Sequence, residues 1–195
     1  MIQIAITGGI ACGKSLVGEM FSEAGVSICD TDYLAHSLMV PGQDVYNGIV
    51  EEFGEDIIVD NGNIDRRKLG ELVFADERRR FILNKLVHPA VRDLFESWLT
   101  EQNTKCAAAV IVPLLYEAKM ENGWDVIVCV SCSDEVQLQR LKDRGLTEVE
   151  ARQRISAQLP TTVKMEHSDF VIFNDGTVSV LKKQVKKVLR HILEK

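Results

Sequence analysis

The sequence has no apolar run that approaches the roughly 20 residues needed to cross a bilayer, so we expect no membrane partner. It has no excess of positive charge either, because 23 lysines and arginines stand against 29 aspartates and glutamates, a net charge of −6. Proteins that bind nucleic acid generally carry a basic surplus, so we expect no nucleic-acid partner. No basic stretch precedes the first apolar segment, so we expect no secretory signal.

The sequence also lacks the cysteine pattern of a disulfide scaffold or of a zinc site. Its five cysteines, an odd number, are Cys12, Cys29, Cys106, Cys129 and Cys132. Cys129 and Cys132 form a C-x-x-C, but no second pair completes a zinc site. They lie in or at the end of the apolar run 126–130, so we interpret them as buried strand residues. This pattern predicts a reducing, cytoplasmic location.

The most informative segment that is present runs from residue 8 to residue 15 and reads Gly-Gly-Ile-Ala-Cys-Gly-Lys-Ser. It fits the phosphate-loop pattern G-x-x-x-x-G-K-[ST], between an apolar run at 2–6 and a helical stretch at 16–21. Glycines let backbone N–H groups turn toward a polyphosphate at a helix N-terminus, where the partial positive charge favours anions. We expect Lys14 to reach the outer phosphates and Ser15 to help hold Mg²⁺. The segment predicts a nucleotide-binding protein; the alternative is a glycine-rich turn that caps an unrelated helix.

Five short apolar runs predict five strands, at residues 2–6, 26–29, 107–112, 126–130 and 170–173. Helical sequence follows each run, and a long helical stretch at 43–105 separates the second from the third. This order predicts an α/β fold with a doubly wound, five-stranded parallel sheet. Ligands of such sheets bind at the carboxyl ends of the strands, so the residues that follow the strands should meet on one rim.

Three classes of phosphate-loop protein compete. A regulatory GTPase should carry an Asn-Lys-x-Asp guanine motif, but the only Asn-Lys, at 84–85, lies in a helical stretch. A motor-type ATPase should have a strand that ends in Asp or Asp-Glu, whereas the run 107–112 continues into Pro-Leu-Leu-Tyr-Glu. A small-molecule kinase needs a phosphate loop, a carboxylate beside the acceptor hydroxyl and mobile arginines over the phosphate, and the sequence has candidates for all three.

Asp30 and Asp32 are the candidate carboxylates because they follow the second predicted strand. In an extended chain, residues i and i+2 point to the same side, so both are expected to face the rim. One would orient or deprotonate an acceptor hydroxyl, and the other would order water around Mg²⁺. The alternative is that one of them only caps the next helix.

Arg140 and Arg144 are the candidate arginines, since their i, i+4 spacing puts them on one face of a predicted helix. Guanidinium groups suit phosphate oxygens, and Gly145 offers a hinge by which the segment could close over the site. A solvated charged helix face is the alternative.

With these residues assembled, the chain resembles the dephospho-coenzyme A kinase family over nearly its whole length. Besides the phosphate loop, it has the motifs D-x-D-x-x-A-H at 30–36, P-G at 41–42, H-P at 88–89 and V-P-L-L-[FY]-E at 112–117. The last third adds Q-R-L at 139–141, R-I-x-A-Q at 154–158 and D-x-V-I-x-N at 169–174. The loop alone occurs in many unrelated enzymes, but the other motifs in this order are far more specific.

The resemblance implies transfer of the γ-phosphoryl group of ATP to the ribose 3′-hydroxyl of dephospho-CoA, the last step of coenzyme A biosynthesis. ATP and Mg²⁺ are the implied cofactors and dephospho-CoA is the implied small-molecule substrate. The implied fold is that of nucleoside and nucleotide kinases, with a nucleotide-binding core at 1–41 and 106–195. An inserted helical substrate lobe would occupy 42–105 and a lid would lie near 140–158. No apolar surface stripe is evident, so we expect a monomer.

The resemblance also implies roles for residues. Asp32 is the expected general base, with Lys14 and Arg140 as further catalytic residues. The implied ATP contacts are Gly9, Ile10, Ala11, Cys12, Gly13, Lys14, Ser15, Leu16, Arg144, Asn174 and Gly176. The implied acceptor contacts are Asp30, His88, Arg92, Pro113, Leu114, Leu115 and Glu117. Ser15 and Asp30 are the expected Mg²⁺ ligands, and His88 is equally well explained as a helix-end histidine that bonds to backbone.

The chain departs from the usual family loop, G-G-I-G-S-G-K-[ST]-T, at Ala11, Cys12 and Leu16. A methyl group at positive φ is strained, so we expect Ala11 to keep a negative φ. Leu16 removes a hydroxyl near the α-phosphate, which should lower nucleotide affinity. Cys12, at a helix start beside Lys14, is expected to have a lowered pKa, and one hypothesis is that its oxidation blocks ATP binding. The alternative is that Cys12 replaces serine without consequence.

Two other functions stay open at this point. One is another small-molecule kinase of the same fold, such as a nucleoside monophosphate kinase, because acceptor choice lies in the helical lobe. The other is a nucleotide-dependent regulatory protein, which would turn ATP over slowly whatever small acceptor is present.

Overall fold

The computed structural model describes residues 1–194, in which helices flank a parallel sheet. The strands are β1 (Ile2–Gly8), β2 (Ser27–Asp30), β3 (Ala107–Ile111), β4 (Val126–Ser131) and β5 (Phe170–Phe173). The helices are α1 (Lys14–Glu23), α2 (Thr31–Leu38), α3 (Asp44–Phe53), α4 (Arg66–Ala75), α5 (Glu77–Glu101), α6 (Asp134–Asp143), α7 (Glu148–Ser156), α8 (Thr161–Glu166) and α9 (Val178–Leu193). No helix within 1–194 is both long enough and apolar enough to span a bilayer.

The sheet has the strand order β2-β3-β1-β4-β5, and every neighbouring pair is parallel. The predicted five-stranded parallel sheet is therefore confirmed. β1 lies at the centre, with Ile6 opposite Ile111 of β3 and Gly8 opposite Val130 of β4. Because parallel strands run the same way, the segments that follow β1, β2, β3, β4 and β5 all leave from one edge of the sheet.

One face of the sheet packs against α1 and α9. Ile4 and Ile6 of β1 point to this face with fully buried side chains, as does Val128 of β4. Phe21 of α1 and Leu181 of α9 pack into the same cluster. Strands buried in this way read as continuous apolar runs, which is why the sequence shows them so plainly.

The chain forms two compact units. The first comprises Met1–Asp30 and the chain from Trp98 onward, and it contains the whole sheet, α1 and the helices α6 to α9. The second comprises Thr31–Ser97 and contains α2, α3, α4 and most of α5. These units are defined by contacts and not by ligands, so the substrate lobe at 42–105 and the lid at 140–158 stay predictions.

The second unit contains buried apolar side chains, which include Val45, Ile49, Leu69 and Val73. Its α4 begins at a capping aspartate, because the Asp65 side chain accepts hydrogen bonds from the backbone N–H groups of the next turn. Its longest helix, α5, continues through Pro89. These features make the second unit a helical structure, as the periodicity of 43–105 predicts.

Candidate functional site

The glycine-rich loop joins the central strand β1 to α1 and passes where a side chain would not fit. At Gly8, which has φ 142°, a Cβ would lie 2.0 Å from the carbonyl oxygen of Val130 on β4. At Gly13, which has φ 96°, a Cβ would lie 2.2 Å from Nδ2 of Asn174, just after β5. Both positions therefore require glycine, for the close approach as well as for the backbone conformation.

A substitution at Gly13 should be more harmful than one at a matched glycine elsewhere. Gly25 has a similar φ of 91° but no atom within 4 Å of the position of a Cβ. In Gly13→Ala the methyl group must also displace the Asn174 amide, so it should lower the free energy of unfolding by about 1 kcal/mol or more beyond Gly25→Ala. Urea denaturation of the two variants measures this difference. Equal losses would mean that the Asn174 contact contributes nothing.

Ala11 does not keep the negative φ that the sequence predicts. Its φ is 59°, in the left-handed region, at a cost of about 1–2 kcal/mol for a residue with a Cβ. The surroundings hold it there. Its methyl group is buried with Leu141 and Ala151, and its carbonyl oxygen accepts a hydrogen bond from Nη1 of Arg140 at 3.2 Å. The strain is thus offset by contacts that α6 and α7 supply.

Amide side chains from three distant elements hold the loop backbone in place. Nε2 of Gln137, in α6, donates to the carbonyl of Ile10 at 2.6 Å, and Oε1 of Gln158, after α7, accepts from the N–H of Ile10 at 3.0 Å. Nδ2 of Asn174 donates to the carbonyl of Cys12 at 2.9 Å. The loop conformation is therefore fixed before any ligand arrives, which favours binding because less ordering remains to be done.

Lys14 and Ser15 lie in the first turn of α1, where a polyphosphate is expected to bind. Nζ of Lys14 donates to the carbonyl oxygens of Gly8 and Gly9, at 3.2 Å and 2.8 Å. The ammonium group is thereby folded over the loop. The side chain of Ser15 is exposed and that of Leu16 is half-buried. A positive charge, a hydroxyl and a helix N-terminus thus meet at one place, which is a suitable environment for phosphate groups.

The two candidate arginines have different environments. Arg140 is half-buried, and its Nη2 donates to the carbonyl of Asn174 at 2.8 Å in addition to its bond with Ala11. Its charge therefore lies beside the phosphate loop. Arg144 ends α6 with an exposed side chain, and Gly145 follows at φ 87°. The alternative interpretation, a solvated charged helix face, therefore fits Arg144 but does not fit Arg140.

The two candidate aspartates do not share an extended segment. Asp30 is the last residue of β2 and is half-buried, whereas Asp32 is exposed in the first turn of α2. The expectation of one extended segment through both aspartates is wrong, because β2 ends at Asp30 and α2 begins at Thr31. That both carboxylates face the rim stays a prediction. Asp30 belongs to the first unit and Asp32 to the second.

The segment after β3, residues 113–117, is held by a buried ion pair. Nζ of Lys164, in α8, lies 2.8 Å from Oε1 of Glu117 and donates to the carbonyl of Pro113 at 2.9 Å. The same carboxylate oxygen accepts from the backbone N–H of Leu159 at 2.9 Å. The Lys164 side chain has an exposed fraction of 0% and Glu117 one of 18%, so little water screens the pair. Within this segment, Leu114 is half-buried and Leu115 is buried.

The remaining predicted residues lie apart from the loop in sequence. His88 and Arg92 belong to α5 in the second unit, where their i, i+4 spacing puts them on one helix face. Gly176 lies after β5, two residues beyond Asn174, and is exposed. Among the site residues predicted from sequence, the structure brings together Lys14, Arg140 and Asn174 at the loop.

Cys12 is buried against a second thiol. Its Sγ lies 3.3 Å from Sγ of Cys132 and accepts a hydrogen bond from it. This hydrogen bond is the main reason that the pKa of Cys12 is lowered to about 7, while burial raises it and the charge of Lys14 lowers it further. The predicted lowering is confirmed. Cys129 and Cys132 are both buried, as predicted, and burial raises the pKa of Cys129 to about 12.

The oxygen donors available for a divalent cation are few. In the first unit, Ser15 lies in the first turn of α1, after β1, and Asp30 is the last residue of β2. Across residues 1–194, no three His, Cys, Asp or Glu side chains cluster in a way that could hold a metal ion. Mg²⁺ in phosphate-transfer sites is bound through one or two protein oxygens together with substrate phosphates and water. The donor set therefore fits a Mg²⁺ ion that arrives with a nucleotide.

Comparisons with known proteins identify the family. A family model described as dephospho-CoA kinase matches residues 2–179. The chain belongs to the dephospho-CoA kinase family. A dephospho-CoA kinase from Geobacillus kaustophilus is 42% identical over 193 residues, 97% of this chain and 96% of that protein. One from Enterococcus faecalis is 40% identical over 194 residues, 98% of each chain. The resemblance drawn from the motifs is confirmed.

Solved structures agree with this membership of the dephospho-CoA kinase family. A crystal structure from Thermus thermophilus has a TM-score of 0.80 at 30% identity and covers 97% of each chain. A dephospho-CoA kinase from Campylobacter jejuni has a TM-score of 0.70 at 26% identity, covering 98% of this chain and 97% of that one. A shikimate kinase from Acinetobacter baumannii, at 18% identity and a TM-score of 0.58, shares the fold.

Sequence reasoning missed three residues that shape the site of this dephospho-CoA kinase family member. Gln137 carried a usable signal, because it lies one helical turn before Leu141 on the buried face of α6. Gln158 appeared only as part of a family motif. Lys164 carried no signal, since a helical lysine is ordinarily exposed.

Proposed function

We propose that the protein transfers the γ-phosphoryl group of ATP to the ribose 3′-hydroxyl of dephospho-CoA, which gives coenzyme A and ADP. One observation supports this proposal more strongly than any other. It is the preorganised loop between β1 and α1, with Lys14 at its end, in a chain similar over its whole length to proteins named dephospho-CoA kinase. A kinase of this family uses ATP as the phosphoryl donor.

In this proposal the loop residues 9–16 bind the phosphates of ATP. Backbone N–H groups at the start of α1 face the β- and γ-phosphates, and Lys14 exchanges its bonds with Gly8 and Gly9 for phosphate oxygens. Arg140 adds positive charge beside the loop, and Arg144 contributes from the proposed lid near 140–158. Asn174 and Gly176 lie near the adenine. The positive charges of Lys14, Arg140 and Arg144 stabilise the transition state, because negative charge spreads over the oxygens of the transferring phosphoryl group.

Ser15 and Asp30 are the proposed Mg²⁺ ligands, and the ion when bound neutralises part of the phosphate charge. Asp32 is the proposed general base, which accepts the proton of the acceptor hydroxyl. Acceptor contacts are assigned to Asp30, His88, Arg92 and the segment Pro113, Leu114, Leu115 and Glu117. The buried Lys164–Glu117 pair supports this last assignment, because it fixes the backbone of the segment on the rim of the sheet.

We further propose that the protein acts in the cytoplasm as a monomer, with no nucleic-acid or membrane partner. The five cysteines are all free thiols, which supports a reducing compartment. The net charge of −6 supports the absence of a nucleic-acid partner.

The direct test compares the rate of ADP release from MgATP with dephospho-CoA, with AMP and with no acceptor. A rate that depends on dephospho-CoA is the expected result. Turnover with AMP alone would make the protein a nucleoside monophosphate kinase. A slow rate that ignores both acceptors would make it a nucleotide-dependent regulatory protein.

Substitutions of Asp30 and Asp32 should have different effects in the same assay. Asp32→Asn is expected to lower kcat about a hundredfold, the low end for a general base, because phosphoryl transfer needs little proton removal in its transition state. Asp30→Asn, as a proposed Mg²⁺ ligand, should raise the Mg²⁺ concentration needed for half-maximal rate. Near-normal kcat in Asp32→Asn together with loss of activity in Asp30→Asn would show that the base has been assigned to the wrong residue.

A further inference from the structure

Cys12 and Cys132 bring two thiols together beside the phosphate loop. Their sulfur atoms lie 3.3 Å apart, although 120 residues separate them in sequence. Cys12 is part of the loop after β1, and Cys132 directly follows β4, the strand next to β1. The proposed phosphoryl transfer uses only the backbone of Cys12 and makes no use of Cys132. The contact between the two thiols is therefore unexplained by that reaction.

We propose that Cys12 and Cys132 form a site of oxidative modification, at which a small peroxide joins the two sulfur atoms in a disulfide that distorts the phosphate loop. A disulfide bond is about 2.05 Å long, so the sulfur atoms must approach by about 1.2 Å from their separation of 3.3 Å. Cys132 is anchored at the end of a strand inside the sheet. The disulfide therefore pulls Cys12 against the hydrogen bonds that hold its loop in place.

The two thiols have the properties of an attacking and a resolving cysteine. The hydrogen bond from Cys132 lowers the pKa of Cys12, which favours the thiolate form of Cys12. The same contact and burial raise the pKa of Cys132, which keeps its proton. Cys12 is thus the sulfur that attacks an oxidant, and Cys132 is already placed to react with the product.

The oxidation balances with hydrogen peroxide as the oxidant. The Cys12 thiolate attacks one oxygen, the O–O bond breaks, and the departing hydroxide takes a proton to become water, leaving a sulfenic acid on Cys12. The sulfur of Cys132 then attacks Cys12, the S–O bond breaks, and the proton of Cys132 leaves with that hydroxyl as a second water. Two thiols are oxidised by two electrons in total, and one peroxide is reduced to two waters.

Burial restricts the kind of oxidant that reaches the pair. Cys12 has an exposed fraction of 0% and Cys132 one of 7%. This burial favours hydrogen peroxide, which is about the size of two waters and uncharged, over a large charged oxidant such as glutathione disulfide. The hypothesis that oxidation of Cys12 blocks ATP binding therefore concerns a buried thiol.

A disulfide should weaken nucleotide binding because Cys12 is tied into the loop on both sides. Its carbonyl accepts from Asn174 and its N–H donates to the carbonyl of Gly9 at 3.3 Å. A shift of about 1 Å at Cys12 misplaces the neighbouring backbone that faces the phosphates, and displacements of this size can cost up to about a hundredfold. We expect ATP affinity to fall about tenfold or more. This consequence rests on the proposed function, whereas the disulfide itself does not.

The experiment treats the reduced protein with hydrogen peroxide, maps cross-linked peptides by mass spectrometry without reduction, and measures ATP affinity by titration calorimetry before and after. The expected result is a Cys12–Cys132 cross-link, an affinity loss of about tenfold or more, and recovery with dithiothreitol. Cys132→Ser should bind ATP normally and keep its affinity in peroxide. Cys106→Ser, which removes the exposed cysteine, should behave like the original protein.

Each of the other outcomes contradicts a different part of the proposal. A different cross-link, or oxidation of Cys12 that never reaches Cys132, overturns the proposed site, and mapping in the original protein decides this even if Cys132→Ser fails to fold. A correct cross-link with unchanged affinity overturns the distortion of the loop. If the reduced protein does not bind ATP at all, the proposed function fails, while the mapped cross-link still decides the site.

Discussion

Lys14→Met is expected to lower kcat about a thousandfold. Lys14 supplies a full positive charge at the start of α1, and its ammonium lies over the loop where phosphates are proposed to bind. Loss of one preorganised neutral donor to a developing negative charge typically costs a hundred- to a thousandfold, and a charged donor belongs at the upper end. Steady-state ADP release with saturating ATP and dephospho-CoA measures the effect.

A matched control separates this effect from a general change of charge. Lys142→Met removes an exposed lysine of α6 whose ion pair with Glu148 is 4.0 Å long. Its kcat should stay within about twofold of the original, since exposed pairs contribute little. If both variants keep near-normal kcat, Lys14 does not act on the transferring phosphate. If both lose activity alike, net charge and not the position of Lys14 governs the rate.

Lys164→Met is expected to lower the free energy of unfolding by about 3 kcal/mol. The change leaves the Glu117 carboxylate without its cation and the Pro113 carbonyl without its donor, in a place where Lys164 has no exposed surface. Breaking a buried ion pair from one side typically costs 3–5 kcal/mol, and the lower end applies because Glu117 is 18% exposed. For a chain of this size the melting temperature should fall by roughly 6–12 °C.

A double-mutant cycle identifies the source of that loss. Glu117→Gln added to Lys164→Met removes the unpaired carboxylate and should restore part of the stability, because a neutral amide is cheaper to bury than a charge. Equilibrium denaturation in urea of the two single variants and the double variant gives the coupling free energy. Strictly additive losses would mean that the two side chains do not interact, despite the 2.8 Å that separates Nζ from Oε1.

Local sequence patterns predicted the sheet and the phosphate loop because both depend on neighbouring residues. The inner strands β1, β3 and β4 are mostly buried and read as apolar runs, and the edge strand β5 was also predicted with its observed bounds, Phe170–Phe173. The turn at Gly13 follows from a motif whose spacing is itself the structural requirement.

The rest of the site depends on contacts between distant parts of the chain. The hydrogen bonds of Ile10 reach Gln137 and Gln158, 127 and 148 residues away, and no local periodicity records them. Ala11 adopts positive φ because α6 and α7 stabilise it, so a rule based on its own side chain failed. The extended geometry expected for residues 30–32 was wrong because α2 begins at Thr31, a boundary that local sequence patterns did not show.

The proposed reaction phosphorylates the ribose 3′-hydroxyl of dephospho-CoA. The most direct test is to incubate the protein with MgATP and dephospho-CoA, isolate the product, and locate the new phosphate by mass spectrometry and ³¹P NMR. We expect a product with the mass of coenzyme A, with one new phosphomonoester on the ribose 3′-oxygen, formed in equal amount to ADP. A phosphate on any other atom, or ADP formed without a phosphorylated acceptor, would contradict it.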